Sequence, residues 1–338
     1  RLDIVILQGT SLLERAVSLA HELVGFDFVL LNIHPFDVLP NVAITALGSN
    51  LPVIFIDHAS HAFCLGLTVS RIVMPITYTI LERRKGVPLE HVAWIPLPLQ
   101  LDRFAATASR RETRRRLGVP EDAVVLLSSG AEYKFRPMEG KSLERLVAPV
   151  LSEHSQVHLV IIGSTDRESW QELLEAYPGR VHLHPAVPET ELINAYHAAE
   201  VYLDSFPISS GTALLEASAS GVPVVRYVPP DWERCGFVQH IETVPPRLYC
   251  WSTPELYRRD ILRLITDRDY RAWRSRFCAD LVRAHHSPET FCRTLEDAYQ
   301  RARSGTLIKL RLGAVERRFD RLNSLLFEVS RNQVSAVQ

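Results

Sequence analysis

Apolar residues along this chain fall into short runs separated by stretches of helical period. In the first hundred residues, runs at 3–7, 26–33, 53–57, 71–74 and 92–95 predict strands, while apolar positions recurring every three or four residues over 12–23, 42–47 and 78–85 predict helices. The following stretch alternates more regularly. A basic helix over 110–117 precedes strands at 124–127, 158–162, 181–183, 201–203 and 222–227, with helices between them at 143–151, 168–176, 189–197 and 212–220. Near-continuous apolar strands interleaved with helices predict an α/β protein whose parallel sheets are buried on both faces. Residues 254–303 read as helices with charged outer faces. Beyond them Leu307, Leu310, Val315, Phe319, Leu322 and Leu326 among arginines predict an amphipathic helix. That helix would dock on the first domain or join a second subunit as a homodimer contact, with peripheral membrane contact as the alternative, against which Glu316, Asp320 and Glu328 weigh.

A chain of 338 residues exceeds the size at which one core keeps growing, so two domains are expected. Pro96 and Pro98 stiffen the boundary region. The division reads as an N-terminal Rossmann-like domain at 1–105, small or trimmed; a nucleotide-binding domain at 106–305; and the amphipathic helix at 306–338. The chain starts at Arg1 rather than at a methionine, and one expectation is a fragment preceded by a repeat or acceptor-binding region.

The candidate chemistry begins at Asp204-Ser205-Phe206-Pro207-Ile208-Ser209-Ser210-Gly211-Thr212. A strand ends at Asp204, a turn of small residues follows, and a helix starts near Thr212 with Glu216 one turn in. Unpaired amides and the positive end of the helix dipole make such a turn a seat for a diphosphate, and Glu216 can accept hydrogen bonds from ribose hydroxyls. A second segment, Ser128-Ser129-Gly130-Ala131-Glu132-Tyr133-Lys134, lies at the carboxyl end of another strand, where open α/β sheets keep their ligands. Lys134 on that loop can reach the same diphosphate.

Together the two segments resemble sugar-nucleotide glycosyltransferases of the GT-B fold, which have two facing Rossmann-like domains. Within that fold the Tyr133-Lys134-Phe135-Arg136-Pro137 loop, the stretch from Arg180 through Pro188, the strand before Asp204 and the Ser-Gly-Thr turn are similar to the O-GlcNAc transferase-like family. The match covers about residues 120 to 230. The resemblance implies that Lys134, Ser210, Gly211 and Thr212 hold the donor diphosphate, that Glu216 binds the ribose, and that Ala186, Val187 and Pro188 lie against the base. Glu189 stands where that family carries a lysine. The competing assignment is to retaining glycosyltransferases with two glutamates eight positions apart. Glu216 would be the second of them, but the first falls on Ile208, which argues for inversion.

Catalysis on this reading needs a base on the first domain. Candidates follow the strand at 53–57: His58 first, His61 second, with Asp57 and His34 on the acceptor side. Arg234, in the loop after the last strand, is a candidate donor or acceptor contact whose ordinary reading is a solvated side chain. His182 and His184 read as structural. No Asp-x-Asp motif marks the nucleotide region, so no metal or other cofactor is expected, with the UDP-sugar serving as substrate.

Composition narrows the alternatives. A formal net charge of −1 gives no general attraction to nucleic acid, and 46% apolar with 23% charged residues is ordinary for a globular protein. The five cysteines are scattered without paired spacing, which suggests reduced thiols and a cytoplasmic protein. The reading is therefore a hexosyl- or N-acetylhexosaminyltransferase moving sugar from UDP to a protein, glycan or lipid-linked acceptor, inverting and metal-independent. The alternatives are a degenerate GT-B module that binds without catalysis, a retaining enzyme, or a sugar-nucleotide epimerase.

Overall fold

The strand pattern is realised in two units of a computed structural model, which describes residues 3–48, 50–59, 64–76, 86–230 and 250–310. Of the described residues, those up to Leu97 and those from Glu289 to Leu310 form the first unit, and Pro98–Pro288 the second.

In the first unit, β1 (Val29–Leu31), β2 (Val53–Asp57) and β3 (Ile72–Pro75) form a parallel sheet in that order. One face packs Phe55 and Val73 against Ile44 of α2 (Leu39–Leu47) and against Leu67. The other face packs Ile54 and Met74 against Ala298 and Ala302 of α10 (Pro288–Ser304). Both faces of β2 are therefore dry, as its unbroken apolar run requires. Arg301 ties α10 down by donating to the carbonyls of Glu90 and Val92 at 2.9 and 3.0 Å. Outside this core, α1 (Leu12–Leu23) lies against α2 and starts with a capping box between Ser11 and Glu14.

Two expectations fail here. Residues 3–7 are not a strand: Ile4 and Ile6 are 89% and 79% exposed and no neighbouring strand takes their backbone groups. Apolar alternation marks a segment fit for a ladder, but only a partner makes it a strand. The run at 92–95 shrinks to one bridge between Val73 and Val92, followed by bonds from Ala93 and Ile95 to β3, because the reciprocal bond of the next bridge would need an amide from Pro75, which has none. The expected helix over 78–85 lies outside the described residues, as do 311–338 of the expected C-terminal helix. Just before that point Ile308 is buried in the first-unit core.

The second unit follows the sequence pattern closely. Its strands are β4 (Val124–Ser129), β5 (Val157–Ile162), β6 (Val181–His184), β7 (Val201–Leu203), β8 (Val224–Tyr227) and β9 (Cys250–Trp251), all parallel, in the order β6-β5-β4-β7-β8-β9. Counted within the unit this is 3-2-1-4-5-6, the doubly wound dinucleotide-fold order. The connecting helices are α4 (Leu143–Glu153), α5 (Gln171–Ala176), α6 (Glu189–Ala198) and α7 (Gly211–Ala219). The expected helix at 168–176 is α5 preceded by a 3₁₀ turn, Glu168–Trp170. Two further helices, α8 (Pro254–Thr266) and α9 (Arg268–His285), complete the unit.

The basic helix α3 (Arg110–Arg116) is more than a solvated face. Arg114 is buried, donating to the carbonyls of Ala198, Glu121 and Ala123 and pairing with Glu200, so it pins α3 beneath β4 and β7. Among the described residues, no helix is long and apolar enough to cross a membrane.

On adjacent strands, His158 Nδ1 and His182 Nε2 share a hydrogen bond of 3.0 Å with their rings stacked. One nitrogen must lack a proton, so the arrangement disfavours charging the pair. Burial, reinforced by His158 and His184, pushes His182 down to about 4 from an ordinary value of 6.5. The unfolded chain takes up this proton near 6.5 and the folded one only near 4. The stabilisation is thus complete above 6.5 and is lost as the pH falls through this window. Urea unfolding between pH 7 and 4 should show His182→Gln removing about 1–2 kcal/mol of pH-dependent stability, allowing for partial exposure. Equal slopes for variant and parent would refute this assignment.

Candidate functional site

The order of the second sheet selects one place for a ligand. Connections run one way from β4 to β5 and β6, and the other way through β7 to β8 and β9, so the crevice opens past the carboxyl ends of β4 and β7. The two sequence motifs are the loops that leave those strands.

The loop after β4 is a 3₁₀ turn, Glu132–Phe135, anchored by Phe135, which is buried against Trp170. Lys134 accepts at its carbonyl from the amide of Ile208 at 3.2 Å and donates through Nζ to the Ser209 carbonyl at 3.3 Å. Both bonds join the β4 loop to the β7 loop. Burial pushes the Lys134 ammonium below its ordinary range, opposed by attraction to Asp204. An anion arriving there would favour the charged form.

The loop after β7 is organised by Asp204. Its carboxylate accepts from the Ser210 amide at 2.9 Å, from Ser209 Oγ at 2.5 Å and from Arg226 Nε at 3.0 Å, and the Asp204–Arg226 pair is almost wholly buried. Ser205 Oγ closes the turn through the Ile208 carbonyl and Ser210 Oγ. No side chain caps α7, which leaves the amides at its head available to a ligand. The exposed Thr212 stands there, and Ser210 lies beneath. A Cβ on Gly130 would sit 2.5 Å from Ser210 Oγ, and one on Gly163 (φ +98°) 2.2 Å from the Gly130 carbonyl oxygen. Only glycines let these three loops close up.

Glu216, half-buried on α7, accepts a 3.3 Å hydrogen bond from the Tyr196 hydroxyl, and burial raises its carboxyl above the usual range. Ala186, Val187 and Pro188 follow β6, two strands from β4 and about 10 Å away. Val187 lines a small cavity with Leu117, Ile162 and Asn194. Glu189 begins α6 and pairs with Arg103, which brings a guanidinium to this end of the crevice beside Glu216.

Sequence reasoning singled out neither Arg103 nor Arg226. Both meet their partners only through the fold, although an arginine in the middle of an apolar strand, as at 226, signals a buried carboxylate. His184 and His182 sit on β6 with structural partners: the Leu117 carbonyl for His184, and His158 for His182.

In the first unit, parallel pairing of Leu31 with Phe55 puts His34 and His58 at equal offsets beyond the sheet's carboxyl edge, both exposed. His34 Nδ1 accepts from the Phe36 amide at 3.4 Å. Asp57 is buried and accepts from the Ala59 amide at 2.9 Å and from the Cys64 thiol at 3.5 Å, which shapes the loop that presents His58. His61 and Arg234 lie outside the described residues. No group of three or more His, Cys, Asp or Glu side chains with metal-binding geometry occurs among the described residues.

Residues 140–239 match the family model described as Glycosyl transferases group 1. A D-inositol 3-phosphate glycosyltransferase of Geodermatophilus obscurus is 37% identical over 145 residues, covering 39% of this chain and 31% of the relative, so the match spans about a third of that protein. A glycosyltransferase from Rickettsia africae superposes with a TM-score of 0.67 at 12% identity, over 89% of this chain and 85% of its own. Anabaena HepE in complex with UDP and glucose does so with 0.64 at 14% identity, over 85% and 81%. Closeness to O-GlcNAc transferases in particular has weaker support: the Thermobaculum terrenum enzyme gives 0.53 at 19% identity, over 80% of this chain and 56% of that one. The chain has the GT-B fold of glycosyltransferases, and its residues 140–239 match the group 1 model.

Proposed function

We propose that this protein is a glycosyltransferase that moves a hexosyl or N-acetylhexosaminyl group from a UDP-sugar to an acceptor. One observation carries the reading: at the switch point of a doubly wound sheet, the half-buried Lys134 ammonium and the uncapped head of α7 converge on one turn, with Glu216 farther along the same helix. Lys134 and the helix head stabilise the departing diphosphate, preorganised charge being the largest single term in such catalysis, and the reading calls for no metal. Glu216 holds the ribose, and Ala186, Val187 and Pro188 face the base. His58 takes the acceptor proton, imidazole being suited to that transfer at neutral pH, with His61 the alternative. Support for UDP comes from the fold shared with HepE, whose structure holds UDP and glucose. Inversion rests on Ile208, which is buried and offers no side-chain oxygen where the retaining pattern has a glutamate. The acceptor is a protein, glycan or lipid-linked sugar, and the sequence relatives add inositol phosphate to the panel.

Thermal-shift measurements with UDP, GDP, ADP and their sugar conjugates test the donor. Ligand at a hundredfold excess over Kd adds about 2.7 kcal/mol, a shift of a few degrees. UDP species alone should give it. No shift with any nucleotide would sink the reading, and a shift without transfer to any acceptor would favour a binding module. Where transfer occurs, NMR of the product should show an inverted anomeric centre; a retained one would remove the inverting assignment.

Lys134→Ala should lower kcat about 100- to 1,000-fold with far-UV circular dichroism unchanged. Near-normal turnover would show that the lysine does not serve the leaving group.

Glu216 accepts ribose hydrogen bonds on both oxygens only when ionised, and burial raises its carboxyl above the usual carboxylate range. UDP affinity should therefore fall as the pH drops through that raised pKa. Glu216→Gln should bind more weakly and lose this acid limb, which calorimetric titration from pH 8 to 5 would detect.

A further inference from the structure

At the end of the second sheet remote from the donor crevice lies an open cavity of about 530 Å³ whose wall charges do not cancel. Ala199 and Glu200 lead into β7 there, and Gly221 and Pro223 lead into β8, so the cavity borders the amino ends of these strands. One wall is a single face of α9, where Arg268, Arg271, Ala272 and Ser275 recur at helical spacing. Arg110 of α3 and Glu200 face it. The Ser275 hydroxyl donates to the Gly221 carbonyl and fixes the floor.

Three guanidinium groups thus meet one carboxylate, and that carboxylate is already shared. Glu200 accepts from Arg114 at 2.9 and 3.0 Å and from the Val125 amide at 2.6 Å, besides pairing with Arg110. Arg271 spends Nη1 on the last carbonyls of α8, Leu264 at 2.8 Å and Ile265 at 3.3 Å. Arg268 has no hydrogen-bond or ion-pair partner among the described residues. Asp267, next to it, is engaged with the Tyr270 amide and with Arg263.

We propose that this cavity is a second anion site that takes a phosphate-bearing ligand between Arg110, Arg268 and Arg271. A phosphate dianion presents several acceptor oxygens to the planar forks of arginine and neutralises charges that the fold leaves in excess. The site sits at the far end of β7 from Asp204, so its ligand is distinct from the donor diphosphate, and the proposal stands whether or not the transferase reading does. Free phosphate compounds and phosphorylated lipid headgroups share this chemistry.

Titration calorimetry of the full chain with inorganic phosphate at low ionic strength tests the site, with saturating UDP present to fill the crevice where UDP binds. Phosphate should bind the parent and Lys134→Ala alike. Arg268→Glu should weaken it at least about tenfold, or 1.4 kcal/mol, while leaving the Tm in phosphate-free buffer unchanged, since Arg268 supports no other group. Should that reversal disturb folding, Arg268→Gln provides the same comparison. Absence of phosphate binding, or binding lost in Lys134→Ala and intact in the Arg268 variants, would overturn the proposal. Co-sedimentation with phosphatidylcholine vesicles, with and without phosphatidylinositol 4-phosphate, separates the sources: sedimentation dependent on Arg268 identifies a headgroup, and soluble binding alone identifies a free ligand.

Discussion

The buried pair between Asp204 and Arg226 is the constraint on which the candidate donor site rests. Two charges so deprived of water persist only if each is fully hydrogen-bonded, and loss of one partner costs about 3–5 kcal/mol. Here the carboxylate meets that demand by accepting from Ser209, Ser210 and Arg226 together. The satisfaction of a buried anion and the shape of the turn are therefore the same event. The Ser210 amide is held by Asp204, and α7 begins at Gly211 with no side chain capping its next amides.

Lys134 depends on the same arrangement. Its ammonium is retained by the Ser209 carbonyl and the nearby Asp204 charge, while its backbone is stitched to Ile208. The β4 and β7 loops are consequently joined to each other, at the place where the proposed reading needs preorganised charge. Residue 208 contributes its backbone to this stitching.

Much of this was legible in the sequence, and the remainder shows where such reading stops. The second unit was legible because β4, β5, β7 and β8 are apolar runs largely buried on both faces, bounded by helices with capping residues such as Ser142 and Thr253, whereas the short, half-buried β9 left no such run to read. Gly130, Lys134, Ser210 and Glu216 stood out because strand-end loops have few reasons to carry that chemistry. The strand expected at 3–7 was not there, since pairing is a property of two segments and the pattern belongs to one. The Asp204–Arg226, Arg103–Glu189 and Arg114–Glu200 pairs join residues 22 to 86 positions apart. Only the register of the strands and the course of the chain over α6 bring them together. A charged side chain in the sequence announces that it needs a partner without saying which.

The close approach of Gly163 and Gly130 has a consequence for altering what the crevice accepts. With no room for a Cβ at either position, this end of the crevice cannot be filled by a side chain from residue 130 or residue 163. Changes in ligand preference, natural or engineered, are thereby channelled to the opposite end, where Val187 and the Arg103–Glu189 pair lie at exposed or half-exposed positions that tolerate exchange. On the proposed reading, the fold separates a fixed phosphate grip from an adjustable end at which ligands could be distinguished.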